Sequence, residues 1–441
     1  MFNRSLSIVG LLVNKSMLKT LTQEFKGYLF IRDRIKHIID TNESTDKKLV
    51  LLSETLANQS QLPEKLQTFL KTNKIEVVDH KVDLNYNNFT YEEVMRSVLP
   101  ENLPIPHAFE RIGHIAHLNL KAELLPYKSV IGQIILDKKR PQIRTVLNKV
   151  GKIDTVFRTF NYELLAGEND LEAEIKENDC LFRFNFAEVY WNSRLQYEHT
   201  NLIKKFRQSD VIMDMFAGVG PFAVPAAKLS KCTVYANDLN PSSVKYMREN
   251  AARNKATTLV EIANMDARDF VRDLVSRNPP IPFNNVIMNL PSTSIEFLDV
   301  FRDVFLKPNQ PAPIPPPTIH CYCFISDKDD LVAATKRAVE AVIQHPLPAD
   351  TECIEVRDVS PNKRMMRISF KMPTISPVVA TDATAVAQSA IDQSNTLKRK
   401  ESVLEEDSSS ATSSSSTSTS TTSTTSSEVD DNSVHKKTKT Q

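Results

Sequence analysis

The apolar and polar positions divide the chain into regions of different periodicity. In residues 1–100, segments 6–13 and 48–53 are short apolar runs that read as strands. Segments 15–25, 63–72 and 91–99 repeat apolar residues every three or four positions and read as helices. A polar loop, 41–46, lies between them, so this part reads as a small α+β module. The three prolines of Pro100-Glu-Asn-Leu-Pro-Ile-Pro106 mark a boundary. Beyond it, 109–120, 143–150, 155–165 and 172–190 read as a mixed sheet with one helix, 126–137. Alternation is clearest in Cys180-Leu-Phe-Arg-Phe-Asn-Phe186.

From Asn192 strands and helices alternate strictly. Strands are expected from Val211 and at 233–238, 260–263, 285–290 and 318–326, each followed by a helix: 221–229, 241–254, 267–275, 294–305 and 328–345. Two closing runs, 353–359 and 367–372, suit an antiparallel edge pair. This pattern predicts an α/β fold, a Rossmann-like, parallel-dominated sheet with helices on both faces. The proline tract 308–317 reads as a stiff extended connector. The expected organisation is 1–100, 101–190, 191–372 and a tail, 373–441. That tail, almost pure Ser/Thr over 408–427, has too few apolar residues to offset its ordering entropy and is expected to be disordered. Its clusters Lys398-Arg-Lys400 and Lys436-Lys-Thr-Lys439 fit nuclear import and a solvated linker equally well.

Charge sharpens this picture only slightly. The net +1 of the whole chain combines −3 over 373–441 with +4 over 1–372, a mildly basic balance that permits an RNA partner. Five cysteines without a CxxC pair read as free thiols in a reducing compartment. His107, His114 and His117, near Glu110 and Glu123, match no usual metal spacing, and no metal is expected. No 18-residue apolar run is present, so no membrane span is expected. The first 23 residues carry Arg4, Lys15 and Lys19 and no acid. That fits a mitochondrial transit segment, but a core strand followed by a helix fits it better.

The chemistry centres on Val211-Ile-Met-Asp-Met-Phe-Ala-Gly-Val-Gly-Pro-Phe-Ala-Val-Pro225, a buried strand, a tight turn and a helix. Gly218 and Gly220 are two of only eight glycines and imply close approach to the backbone. No Lys-Ser/Thr follows them, so this is no phosphate loop. Ala223 at the third glycine position leaves a dinucleotide open on spacing alone. Pro221, however, offers no N–H to a pyrophosphate, and Asp214 favours a ligand bearing an ammonium group. S-adenosylmethionine satisfies both. Asp238, 20 residues after Gly218, suits a ribose, and Asp266 in Asn264-Met-Asp-Ala-Arg268 suits the adenine edge. Asn289-Leu-Pro291 ends the fourth strand with no aromatic residue following, which points away from an exocyclic-amine acceptor.

Together with these motifs, Val189-Tyr-Trp-Asn-Ser-Arg-Leu-Gln-Tyr-Glu-His199 and Phe109-Glu-Arg-Ile-Gly-His-Ile-Ala-His-Leu-Asn-Leu120 carry a family resemblance. The chain closely resembles the eukaryotic tRNA (guanine-37-N1)-methyltransferases over residues 1–372, departing at Ser193, where relatives commonly have proline. The resemblance implies a class I methyltransferase domain preceded by two smaller modules that grip tRNA, acting as a monomer without a membrane. It implies methyl transfer to N1 of the guanosine 3′ of the anticodon, supporting reading-frame maintenance. It assigns Glu198 as general base, Arg158 as guanine-O6 partner, Tyr190 as the residue positioning a flipped base, and Asn289 as neighbour of cofactor and guanine. His199, Asp238, Leu239, Asp266 and Ala267 match cofactor contacts. The implied location is cytoplasm and nucleus, with a mitochondrial pool if the N-terminus is used for import. Lys138-Lys-Arg140 with Arg144, and Lys204-Lys205 with Arg207, are the candidate RNA-gripping clusters. The competing readings are a methyltransferase for another RNA or for protein, and a catalytically silent tRNA-binding protein.

Overall fold

The computed structural model describes residues 2–41, 46–151, 157, 159, 161–305, 314–326, 330–360 and 362–373. The Ser/Thr-rich tail beyond 373 and most of the proline tract, 306–313, lie outside them. The first region holds strands β1 (Arg4–Asn14), β2 (Ile38–Asp40), β3 (Lys47–Leu51) and β4 (Glu76–Leu84), with helices α1 (Leu18–Glu24), α2 (Glu64–Thr72) and α3 (Tyr91–Val98). The strands form an antiparallel sheet in the order β2-β3-β1-β4. The 6–13 run is therefore a central core strand, covered on both faces. Val9, Leu11 and Val13 pack with Leu21 of α1 and Leu66 and Leu70 of α2. Ile8, with Leu49 and Leu51, packs on the other side with Val94 of α3 and with Ile131 and Ile135 further along the chain.

Pattern reading missed β4. Its sequence alternates Val with Asp, His and Lys, and most of its residues stay partly or fully exposed. Only long-range pairing with β1, from Arg4↔Leu84 to Leu12↔Glu76, identifies it. Helix α3 starts where expected, because Thr90 and Glu93 form a reciprocal capping box.

The next region contributes β5 (Glu110–Ile112), β6 (Ile115–Leu118), α4 (Lys128–Lys139), β7 (Thr145–Val150) and β8 (Asn161–Gly167), in the sheet order β5-β6-β7-β8. A separate hairpin follows, β9 (Glu172–Glu177) and β10 (Cys180–Asn185). Its two-residue turn, Asn178-Asp179, has positive φ at both positions, 48° and 53°, matching the twist of the flanking strands. The outer edge of β10 is satisfied by side chains. Asn250 Oδ1 accepts the Arg183 amide, while Asn254 accepts the Leu181 amide and donates to its carbonyl.

The last region begins with α5 (Gln196–Ile203) and continues β11 (Val211–Asp214), α6 (Ala223–Leu229), β12 (Thr233–Asn237), α7 (Pro241–Arg253), β13 (Val260–Ala263), α8 (Ala267–Ser276) and β14 (Asn285–Met288). It closes with α9 (Asp299–Phe305), β15 (Thr318–Ile325), α10 (Leu331–Ile343), β16 (Glu352–Ser360) and β17 (Lys363–Lys371). The sheet order is β13-β12-β11-β14-β15-β17-β16, parallel from β13 to β15 and antiparallel beyond. The expected parallel-dominated α/β sheet with an antiparallel edge pair is what forms. Its order reverses between β11 and β14, and the carboxyl ends of four parallel strands converge on that switch point. Cys180, Cys232, Cys321, Cys323 and Cys353 are free thiols. No described helix is long and apolar enough to cross a membrane.

Candidate functional site: a cavity at the strand switch point

A cavity of about 880 Å³ opens over these strand ends. Its walls come from the β11–α6 turn, the ends of β12, β13 and β14, the segment before α5, and the β15–β17 edge. Gly218 sits there with φ of +56°, and a Cβ added to it would meet no atom within 4 Å, so the backbone faces open space. Gly220 serves packing instead: at φ +92° its Cβ would lie 2.8 Å from Val224 Cγ2, and it does not line the cavity.

Asp238 lines the cavity with both oxygens engaged. Oδ2 accepts the Gly218 amide at 2.8 Å and Oδ1 accepts the Asn240 amide at 2.9 Å. Burial raises its pKa, and these two amides oppose the shift. Asp238 therefore holds the glycine turn as well as facing the ligand space. Asp266 is the N-cap of α8, accepting the Arg268 amide at 2.8 Å, and also lines the cavity. Leu239 and Ala267 complete this wall. Phe216 and Phe297, with ring centroids 5.1 Å apart, add an aromatic face that pattern reading missed.

Asp214 departs from expectation. It lies wholly buried rather than on the cavity wall, and neither oxygen has a hydrogen-bond partner among the described residues. Burial, reinforced by the Asp238 charge, pushes its carboxyl up to about 8. The Phe216 amide opposes the shift without completing a hydrogen bond. A buried acid without a donor, behind a turn that leaves ligand space, fits a cationic ligand. Among the described lining residues the cations are Arg268, already paired with Asp299 at 2.8 Å, and Arg357. Without a lysine, these walls suit a ligand with an adenine, a ribose and a positive charge better than one with a pyrophosphate.

The same cavity brings in the upstream residues. Tyr190, Trp191, Asn192, Leu195 and His199 line it, as does Asn289. Tyr190 is partly exposed at 38%, and its hydroxyl accepts from Asn192 Nδ2 at 3.3 Å. His199 donates or accepts through Nδ1 to buried Glu177 at 2.6 Å, and its ring meets Phe222 edge-on at 4.6 Å. Arg158, assigned by resemblance, lies outside the described residues.

Glu198 is set deeper than a wall residue. It is 5% exposed, and its Oε1 accepts both Tyr322 Oη at 2.8 Å and Arg367 Nη1 at 2.9 Å. Tyr322 and Arg367 are cross-strand partners on β15 and β17, as are Phe324 and Met365 two residues along. The second pair lines the cavity, so the Glu198 anchor lies roughly 7 Å further along the strands. Both donors take the same oxygen, which leaves Oε2 outside this network. Sequence periodicity offered no sign of it, because the partners stand 124 and 169 residues away.

Three of the seven residues in the basic clusters are engaged within the fold. Lys138 Nζ donates to the Tyr86 carbonyl at 2.6 Å and lies over the Tyr86 ring. Arg144 pairs with Glu168 and Asp170, and Lys205 pairs with Glu352. Among the histidines, His114 Nε2 meets the Asp170 carbonyl and His117 packs against Phe186.

Comparison with known proteins agrees with this geometry. Residues 173–309 match the model of the TRM5/TYW2 methyltransferase domain, and 91–170 match that of the TYW2 N-terminal domain. A tRNA (guanine(37)-N(1))-methyltransferase of Heterostelium pallidum is 68% identical over 85% of this chain and 87% of its own length. Its counterpart in Dictyostelium discoideum is 55% identical over 87% and 83%. Among solved structures, aTrm5 in complex with tRNALeu aligns with a TM-score of 0.63 at 21% identity, over 83% of this chain and all of that one, which shows the shared fold. The chain belongs to the tRNA (guanine(37)-N(1))-methyltransferase family.

Proposed function

We propose that the chain transfers a methyl group from S-adenosylmethionine to ring N1 of the guanosine at position 37 of tRNA, the acceptor that its relatives' names state. One observation carries the reading: a single cavity joins Gly218, Asp238, Asp266 and Asn289 at the strand ends with Tyr190 and His199 from upstream. Cofactor and acceptor thus share one space. When bound, the cofactor supplies an electrophilic methyl on a sulfonium.

The chain's own residues do the rest. Guanine N1 bears a proton and becomes nucleophilic only when that proton leaves. In this reading Glu198 receives it on Oε2, while Tyr322 and Arg367 hold Oε1. The acceptor base must leave its stack to reach this depth, and Tyr190 at the rim offers an aromatic face for it. In this reading Asn289, which lines the same cavity, aligns cofactor and acceptor. Arg158 is assigned the developing charge on O6.

The test is labelled methyl transfer to an unmodified tRNA transcript carrying G or A at the position 3′ of the anticodon. Incorporation with G alone is expected. No incorporation, or equal incorporation with A, overturns the reading.

A further inference from the structure

His199 matches a cofactor contact, but its partner Glu177 has no role in the chemistry above, and the two form one of the most enclosed polar pairs near the cavity. The two side chains are 2% and 4% exposed, and Nδ1 lies 2.6 Å from Oε1. His199 Nε2 is buried and has no hydrogen-bond partner among the described residues. The ring nevertheless lines the cavity, so its unpaired nitrogen is the polar atom it has left to offer a ligand. Leaving such an atom unmatched costs about 1–3 kcal/mol.

The hairpin that supplies Glu177 is built to hold it in place. Glu177 is the last residue of β9, paired with Cys180 across the Asn178-Asp179 turn. That turn grips the same helix once more, through Thr200 Oγ1 and Asn178 Oδ1. Two consecutive hairpin residues thus meet two consecutive residues of α5. His199 in turn packs on Phe222, which directly follows the glycine turn and lining residue Pro221. The imidazole therefore lies against the residue that leads from the glycine turn into α6.

We propose that Glu177 is a positioning residue for cofactor binding: it fixes the His199 ring on the cavity wall so that its unpaired Nε2 is held for S-adenosylmethionine. The inference rests on the cofactor reading above and adds a residue from outside the methyltransferase sheet to the binding apparatus. A carboxylate that accepts from Nδ1 settles which nitrogen is turned inward, and the hydrogen bond left over belongs to the ligand.

The test is calorimetric binding of S-adenosylmethionine to the full chain without tRNA. Wild type, Glu177→Ala, Glu177→Gln, His199→Ala and the Glu177→Ala/His199→Ala double variant are compared. Glu177→Ala and His199→Ala are each expected to weaken binding by about 10-fold or more, and the double variant no further than His199→Ala alone. Glu177→Gln, whose amide oxygen still accepts from Nδ1, is expected to stay within about 3-fold of wild type. Unchanged affinity in Glu177→Ala, or losses that multiply in the double variant, overturns the proposal. Should Glu177→Ala fail to fold, His199→Phe keeps the packing on Phe222 without the nitrogen. It must still lose about 10-fold, and full affinity there overturns the proposal. A wild-type chain that binds no S-adenosylmethionine instead defeats the functional reading itself.

Discussion

Replacing Arg367 by Met tests the buried network that holds Glu198. Arg367 is 2% exposed, with Nη1 on Glu198 at 2.9 Å and Nη2 on Glu352 at 3.0 Å. The Glu352 side chain is 43% exposed, so solvent screens that arm and it contributes little. The Glu198 arm is different. Removing the guanidinium strands a carboxylate that is 5% exposed, leaving Tyr322 as its donor among the described residues. Breaking a buried pair in this way costs about 3–5 kcal/mol. At about 2 cal/mol/K per residue over the folded unit, that is a fall in Tm of about 4–6 °C. Glu198→Gln keeps an oxygen for both donors and should cost less. In the double variant Met faces a neutral amide, so the added loss from Arg367→Met should shrink by about 2 kcal/mol or more. Thermal unfolding followed by circular dichroism measures all four proteins. A fall of under about 1 °C in Arg367→Met, or an equal fall with and without Glu198→Gln, would refute the claim that this pair is coupled.

Asp214 gives a pH signature. Its folded carboxyl stands at about 8, raised by burial. The folded state therefore holds a proton that the unfolded state has lost, and stability falls as pH rises from about 4 to about 8. Asp214→Asn should flatten that slope and gain on wild type in Tm between pH 5 and pH 8, whereas an unchanged gap would refute the burial argument. Binding of a cationic cofactor should tighten with pH over the same upper range in wild type and not in Asp214→Asn, which titration calorimetry reads. Gly220→Ala forces a Cβ against Val224 at positive φ and should cost about 1–3 kcal/mol in urea unfolding, while no loss would show that the turn relaxes. Asn254→Ala strips the amide and carbonyl of Leu181 of their partners and should cost about 1–3 kcal/mol in the same measurement.

The α/β half was legible because each of its units announces itself locally. Strand β11, buried beyond its first residue, is an apolar run that ends in Asp214, and α7 and α8 open with Asn240 and Asp266, residues that cap helices. Strand β4 was not legible, because its residues stay largely exposed and pairing with β1 is what defines it. In the site, spacing identified the residues at strand ends but not their depth. Asp238 and Asp266 reached the cavity while also bonding backbone amides, and Asp214 ended behind the wall. Glu198 and His199 were singled out by resemblance. Their partners Arg367, Tyr322 and Glu177 were not, because a buried ion pair leaves no periodic trace along the chain.

The most direct test of the central claim is the identity of the methylated nucleoside. Transcript methylated by the wild-type chain is digested and its nucleosides are separated and identified by mass against standards. The account predicts N1-methylguanosine from the residue 3′ of the anticodon, with Glu198→Gln reducing its yield per unit time by roughly 10²-fold or more. Methyl on the exocyclic amine or on N7, or full-rate N1 methylation by Glu198→Gln, would contradict it.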